Sequence, residues 1–190
     1  MAVTPQHMTL AEFLQLPEVK PARELRHGMV SQKMPPSGPH SSIQGWFVER
    51  IFLIAFPEDL ARAFPETRLL LGQDTYVPDL VMYRWDRIPE DEHGNLPTYF
   101  QTPPDLAIEI VSLGQTLAKQ LERCRELIEH GVAVTVLVHP GQQSVYVVRA
   151  SGEVGPLRAG DTIDLTDILP GFQLPISDLF NRLRSRPPRT

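Results

Sequence analysis

The sequence predicts an α/β fold, with helices packed against a central mixed β-sheet. Three observations carry that expectation. The stretch "DLAIEIVS", residues 105–112, has apolar residues on both alternating faces, as in a strand covered on both sides. Leu117, Leu121, Cys124, Leu127 and Ile128 then form one stripe at about 100° per residue, the mark of an amphipathic helix over about 116–130. After Gly131 as a C-terminal stop, "VAVTVLV" reads as a second strand. Together they make a βαβ unit at about 105–139, whose right-handed crossover joins parallel strands.

The other elements follow in chain order. "TLAEFLQLP" predicts a short helix with Thr9 as N-cap and Pro17 beyond its end. "ARELRHGMVSQK" predicts a turn at His27-Gly28 with strand-like residues after it, and "MPPSGPH" a proline-rich loop. A helix is expected from Ser41 or Ser42, carrying Ile43, Phe47, Ile51 and Ile54 at three- and four-residue spacing and stopping before Pro57. Trp46 and Phe47 read as core residues of that helix. "TRLLL" and "PDLVMYR" read as strands separated by the turn "GQDTYV". "IPEDEHGNLPTYFQTPP" reads as a surface loop. "QSVYVVR" is expected to add an antiparallel strand after a Pro-Gly turn, and "DILPGFQLPISDLF" a closing strand and helix. One domain over residues 1–184 is expected, with 185–190 as a disordered tail.

Composition narrows the function classes. A hydrophobic share of 42% and a charged share of 22% belong to a globular chain. One cysteine excludes an intrachain disulfide framework and any CxxC metal knuckle, which suits a reducing compartment such as the cytoplasm. No stretch reads as a signal peptide or as a membrane span. The net charge of −5 argues against a surface coated for nonspecific nucleic-acid binding, although Lys20, Arg23, Arg26 and Lys33 form a local basic stretch. The bland reading of that stretch, and of the terminal "RLRSRPPR", is a solvated charged surface. Cys124 reads as a packing residue. The histidines lack the spacing of a zinc site. Asp74, Asp86, Asp91 and Asp105 read as turn formers.

Two carboxylates do not fit the bland reading. Glu109 interrupts an apolar strand, and Asp79 follows Pro78 at the start of another. A carboxylate in an apolar interior needs a partner. If the two strands are neighbours, the carboxylates meet and raise each other's pKa unless a cation lies between them. A hard divalent ion such as Mg²⁺ or Mn²⁺ answers that need. Backbone N–H groups, or a side chain such as Arg123, answer it equally well, and the residues alone leave both open.

Seven stretches in order, "MTLAEFLQLPE", "ELRHGMV", "MPPSGPH", "VPDLVMY", "PPDLAIEIVS", "HGVAVTVLVHP" and "LPGFQLPISDLF", resemble the Uma two family of endonucleases. That family belongs to the PD-(D/E)XK, restriction-endonuclease-like superfamily. The resemblance runs over roughly residues 8 to 180. It implies a restriction-endonuclease-like sheet, Mg²⁺ or Mn²⁺ as cofactor, DNA as substrate and a homodimer. By the same resemblance Asp79 and Glu109 are metal ligands, Glu24 is a further ligand, and His40 contacts phosphate or leaving group. The superfamily lysine would stand at position 111, which is valine here. The family's replacement on the following helix matches Arg123. Helix geometry favours Arg123, with Gln120 as helper, because both border the buried stripe whereas Lys119 points away from it. Arginine in place of lysine keeps a second reading alive, a catalytically degenerate module that binds DNA or a protein partner.

Overall fold

The computed structural model describes residues 7–186. Helix α1 (Leu10–Leu14) opens on a capping box: the Thr9 hydroxyl accepts from the Glu12 N–H while Glu12 accepts from the Thr9 N–H. Strands β1 (Arg23–Arg26) and β2 (Met29–Gln32) form a hairpin. His27 and Gly28 turn it at positive φ, as a two-residue loop requires.

Helix α2 runs Gly38–Ala55, so it begins earlier than the expected Ser41 or Ser42. Ser37 is its N-cap, and Pro39 lies in the first turn, where a missing N–H costs no hydrogen bond. The proline that looked like part of a loop is therefore part of the helix start.

Strand β3 (Ala61–Pro65) was not anticipated: "ARAFP" is half exposed, proline-ended, and carries no clean alternation. Strands β4 (Leu69–Leu71) and β5 (Asp74–Tyr76) make a second hairpin. The main strands follow as β6 (Leu80–Arg84), β7 (Leu106–Ile110), helix α3 (Leu117–Glu129), β8 (Val134–His139), β9 (Ser144–Arg149) and β10 (Gly152–Leu157). Strands β11 (Thr162–Asp164) and β12 (Gln173–Pro175) pair with each other, and α4 (Ile176–Asn181) closes the body. Residues 187–190 of the expected tail lie outside the described residues.

The central sheet has six strands in the order β10-β9-β8-β7-β6-β3. Only β7 and β8 are parallel, joined through α3 as the βαβ reading requires. Alternation sorts the side chains. Leu80, Met82, Leu106, Ile108, Ile110, Val134 and Val136 share one core cluster with α2 and α4. Leu137, Tyr146 and Val148 pack instead with Leu121 and Cys124 of α3. Glu109 falls on this second face by the same period of two. No helix among the described residues is long and apolar enough to cross a membrane.

Candidate functional site

Leu80 pairs with Ile108, so Asp79 and Glu109 occupy the next positions along two adjacent antiparallel strands. Asp79 Oδ2 accepts the Ile110 N–H at 2.8 Å, which ties the carboxylate to the partner strand. Both groups are almost fully buried, at 2% and 4% exposure. The structure thus brings together the two residues that the sequence set thirty positions apart.

Each carboxylate has a cation. Arg123, from the buried side of α3, donates through Nε to Glu109 Oε1 at 2.9 Å. Its two terminal nitrogens grip Glu24 of β1 in a fork, Nη1 to Oε2 at 2.7 Å and Nη2 to Oε1 at 2.6 Å. The guanidinium also lies over the Tyr76 ring, 5.4 Å from its centroid. Glu24 Oε1 further accepts the Val77 N–H. Expected as a metal ligand, Glu24 spends both oxygens on protein donors. Gln120 lines the same cavity, whereas Lys119 is exposed and does not.

The cation on Asp79 is one that sequence reasoning missed. Lys33 Nζ donates to Asp79 Oδ1 at 2.6 Å and to the Val77 carbonyl at 2.7 Å. By sequence Lys33 reads as part of a solvated basic stretch. The signal lay in the hairpin register: Ser31 stands opposite Glu24, and Lys33 is two residues further on the same face. Of the other basic residues in that stretch, Arg26 is paired to Glu126 and Arg23 donates to the Pro17 carbonyl. Asp105, read as a turn former, is a buried clamp that accepts the Arg84 N–H at 2.8 Å and Arg87 Nη1 at 2.6 Å. Asp74 is likewise buried in β5 and caps the hairpin turn by accepting the His27 N–H at 2.7 Å.

His40 completes the site from the first turn of α2. Its Nδ1 is 3.2 Å from Ser112 Oγ, and its Nε2, buried without a hydrogen-bond partner, faces Asp79 Oδ2 at 3.4 Å. One turn on, Gln44 donates to the Asp79 carbonyl at 2.6 Å. Burial holds the His40 imidazole below its usual pKa, against the pull of Asp79, so the ring is neutral at pH 7.

Burial also pushes Glu109 up, to about 7; Arg123 opposes the shift and Asp79 adds to it. Burial acts against both cations as well. The carboxylates outweigh it, Asp79 and Glu109 for Lys33, Glu109 and Glu24 for Arg123, and hold both above their ordinary values. A glutamic acid whose folded pKa lies above its ordinary 4.5 stabilises the protein fully at low pH, and that contribution disappears as pH rises through about 7. Parent protein is therefore expected to lose roughly 1–3 kcal/mol between pH 5 and 8 relative to Glu109→Gln. Parallel denaturant titrations of the two proteins measure this, and curves that stay parallel across that range would contradict the shift.

These groups surround a cavity of about 200 Å³. A broader groove of about 1100 Å³ adjoins it, sharing Lys33 and Met34. No set of three or more His, Cys, Asp or Glu side chains among the described residues is arranged to hold a metal ion. That does not disqualify Mg²⁺ or Mn²⁺, which are commonly held by one or two carboxylates with waters and substrate phosphates completing the shell. Asp79 and Glu109 are such a pair of hard oxygen donors: no described residue donates to Glu109 Oε2, and an ion at Asp79 would share or displace the hold of Lys33 on Oδ1. The donor set fits. Cys124 is buried in the α3 cluster, and burial pushes its thiol up to about 12, so it is no nucleophile at neutral pH.

Comparison with known proteins adds two findings. A family described as "Uma2: Putative restriction endonuclease" matches residues 10–177. A crystal structure from Anabaena variabilis ATCC 29413, described as a "putative nuclease belonging to DUF820", superposes with a TM-score of 0.87 at 35% sequence identity, covering 93% of this chain and 99% of the other. No curated protein matches.

Proposed function

The chain belongs to the Uma2 family, and from that premise we propose a metal-dependent endonuclease that hydrolyses phosphodiester bonds in DNA. The observation that carries the reading is the pair of buried carboxylates, Asp79 and Glu109, facing each other across adjacent strands and opening on a cavity.

In this reading Asp79 and Glu109 hold Mg²⁺ or Mn²⁺, which when bound supplies an acidified water and positive charge at the phosphate. Lys33 provides the cationic side chain beside Asp79 that the superfamily takes from the position of Val111. Its ammonium offsets negative charge that develops on the phosphate. His40, neutral and with Nε2 free, is a proton donor or acceptor beside Asp79 for the phosphate or leaving group. Gln120 lines the cavity as a neutral helper. Arg123, gripped by Glu24, occupies one oxygen of Glu109 from behind. The groove that shares Lys33 is the approach for the DNA strand. Residues 1–184 act as one domain, in the cytoplasm, and a homodimer suits two cuts in a duplex.

One feature favours a second reading, a module that binds DNA without cutting it: the carboxylates are already neutralised by protein cations. The two readings part on a plasmid assay. The first expects nicked and linear product with Mg²⁺ or Mn²⁺ and none after chelation. Binding without cleavage on plasmid, single-stranded and branched DNA, with either metal, would decide for the second.

A further inference from the structure

We infer that Arg123 is a resident cation which competes with the divalent ion for Glu109, and so sets the affinity of the metal site. The inference rests on the metal reading above and goes beyond it, because it assigns the arginine a part in loading rather than in the chemistry.

The geometry carries the argument. All three nitrogen groups of the Arg123 guanidinium are engaged, one on Glu109 and two on Glu24, with the Tyr76 ring against its face. The residue is 5% exposed. A side chain so held is in no position to reach out to a phosphate; its work is done on the carboxylates. Arginine stays charged at any accessible pH, so it cannot step aside by losing a proton. Three carboxylates, Glu24, Asp79 and Glu109, face two cations, Lys33 and Arg123. The site is therefore nearly balanced without metal. A divalent ion arriving at Glu109 meets a carboxylate that is already shared and a positive charge behind it. Glu24 then acts through Arg123: its fork keeps the guanidinium from giving itself wholly to Glu109.

Calorimetric titration of the full chain with Mn²⁺ alone tests this. Arg123→Gln is expected to bind Mn²⁺ at least tenfold more tightly than the parent, and Asp79→Asn to lose binding. Glu24→Gln, which frees Arg123 for Glu109, is expected to bind more weakly than the parent. The double variant Glu24→Gln/Arg123→Gln is expected within about threefold of Arg123→Gln and tighter than the parent, because Glu24 no longer has an arginine to restrain. A directly ligating Glu24 would instead cost the double variant tenfold or more.

Arg123→Gln leaves two buried carboxylates short of a cation, so circular dichroism accompanies every titration. If that variant does not fold, the double variant, which removes one charge of each sign, decides by the same comparison. Asp79-dependent binding in the parent with no gain on losing Arg123 would overturn this inference and leave the metal reading standing. Absence of Mn²⁺ binding in the parent and every variant, also with a short DNA duplex present, would overturn both.

Discussion

Asp79→Asn is expected to fold as the parent does and to cleave DNA at least about 10³-fold more slowly. Residues that merely support a metal ligand commonly cost 10- to 100-fold when changed, so a group touching the metal should cost more. Asparagine keeps the volume, and its carbonyl oxygen can still accept the Ile110 N–H, so the strand contact survives. What disappears is the negative charge, and with it the partner of Lys33 and half of the metal's donor set. Single-turnover cleavage with saturating Mn²⁺, beside a thermal melt, separates the two effects. A variant that cuts within tenfold of the parent would remove Asp79 from the mechanism. One that melts far below it would show a structural carboxylate.

The second large effect is on stability. Phe47→Ala is expected to cost about 3–5 kcal/mol, the range for a buried aromatic truncated to alanine in a packed core. Phe47 is fully buried on α2 and meets Trp46 edge to face at 5.1 Å between centroids. It shares its cluster with Leu80 and Ile108, the residues next to both site carboxylates. For a chain of this size the melting point should fall on the order of 10 °C. A fall of only 1 or 2 °C would mean that the site's supporting layer closes over the gap. Because α2 also brings His40 and Gln44 to Asp79, cleavage by the folded fraction reports whether loosening this layer reaches the site.

Where neighbours in sequence decide the structure, the sequence could be read. The βαβ unit, the turn at His27-Gly28 with the strand after it, and the buried stripe of α3 all follow from periods of two or 3.6 and from turn residues. The same arithmetic separated Arg123 from Lys119, and the structure places the first in the cavity wall and the second in solvent. Asp79 and Glu109 were legible because a charge in an apolar strand is anomalous by itself. Lys33 carried no such anomaly: its partner lies 46 residues on, and a lysine after a polar hairpin strand looks like any surface lysine. The start of α2 was hidden by a proline that is ordinary in a loop and equally ordinary in a first helical turn. Strand β3 is an edge whose only partner in the sheet is β6, so its residues never needed the alternation that marks a strand. That Glu24 is spent on Arg123 depends on a contact across 99 residues, which no local pattern encodes.

That separation also bears on the order of assembly. During synthesis the β1–β2 hairpin leaves the ribosome long before α3. At about 5–20 residues per second, Glu24 waits about 5–20 s for Arg123 to be made. Its first attachments come sooner, when Thr75 accepts the Leu25 N–H and Asp74 accepts the His27 N–H. The hairpin is thus seated in two stages, first on residues 74–79, with the Lys33–Asp79 ion pair among those contacts, and only later on Arg123. A nascent chain that stops short of α3 has no Arg123 for Glu24 and Glu109, so the acidic centre cannot close until that helix has been made.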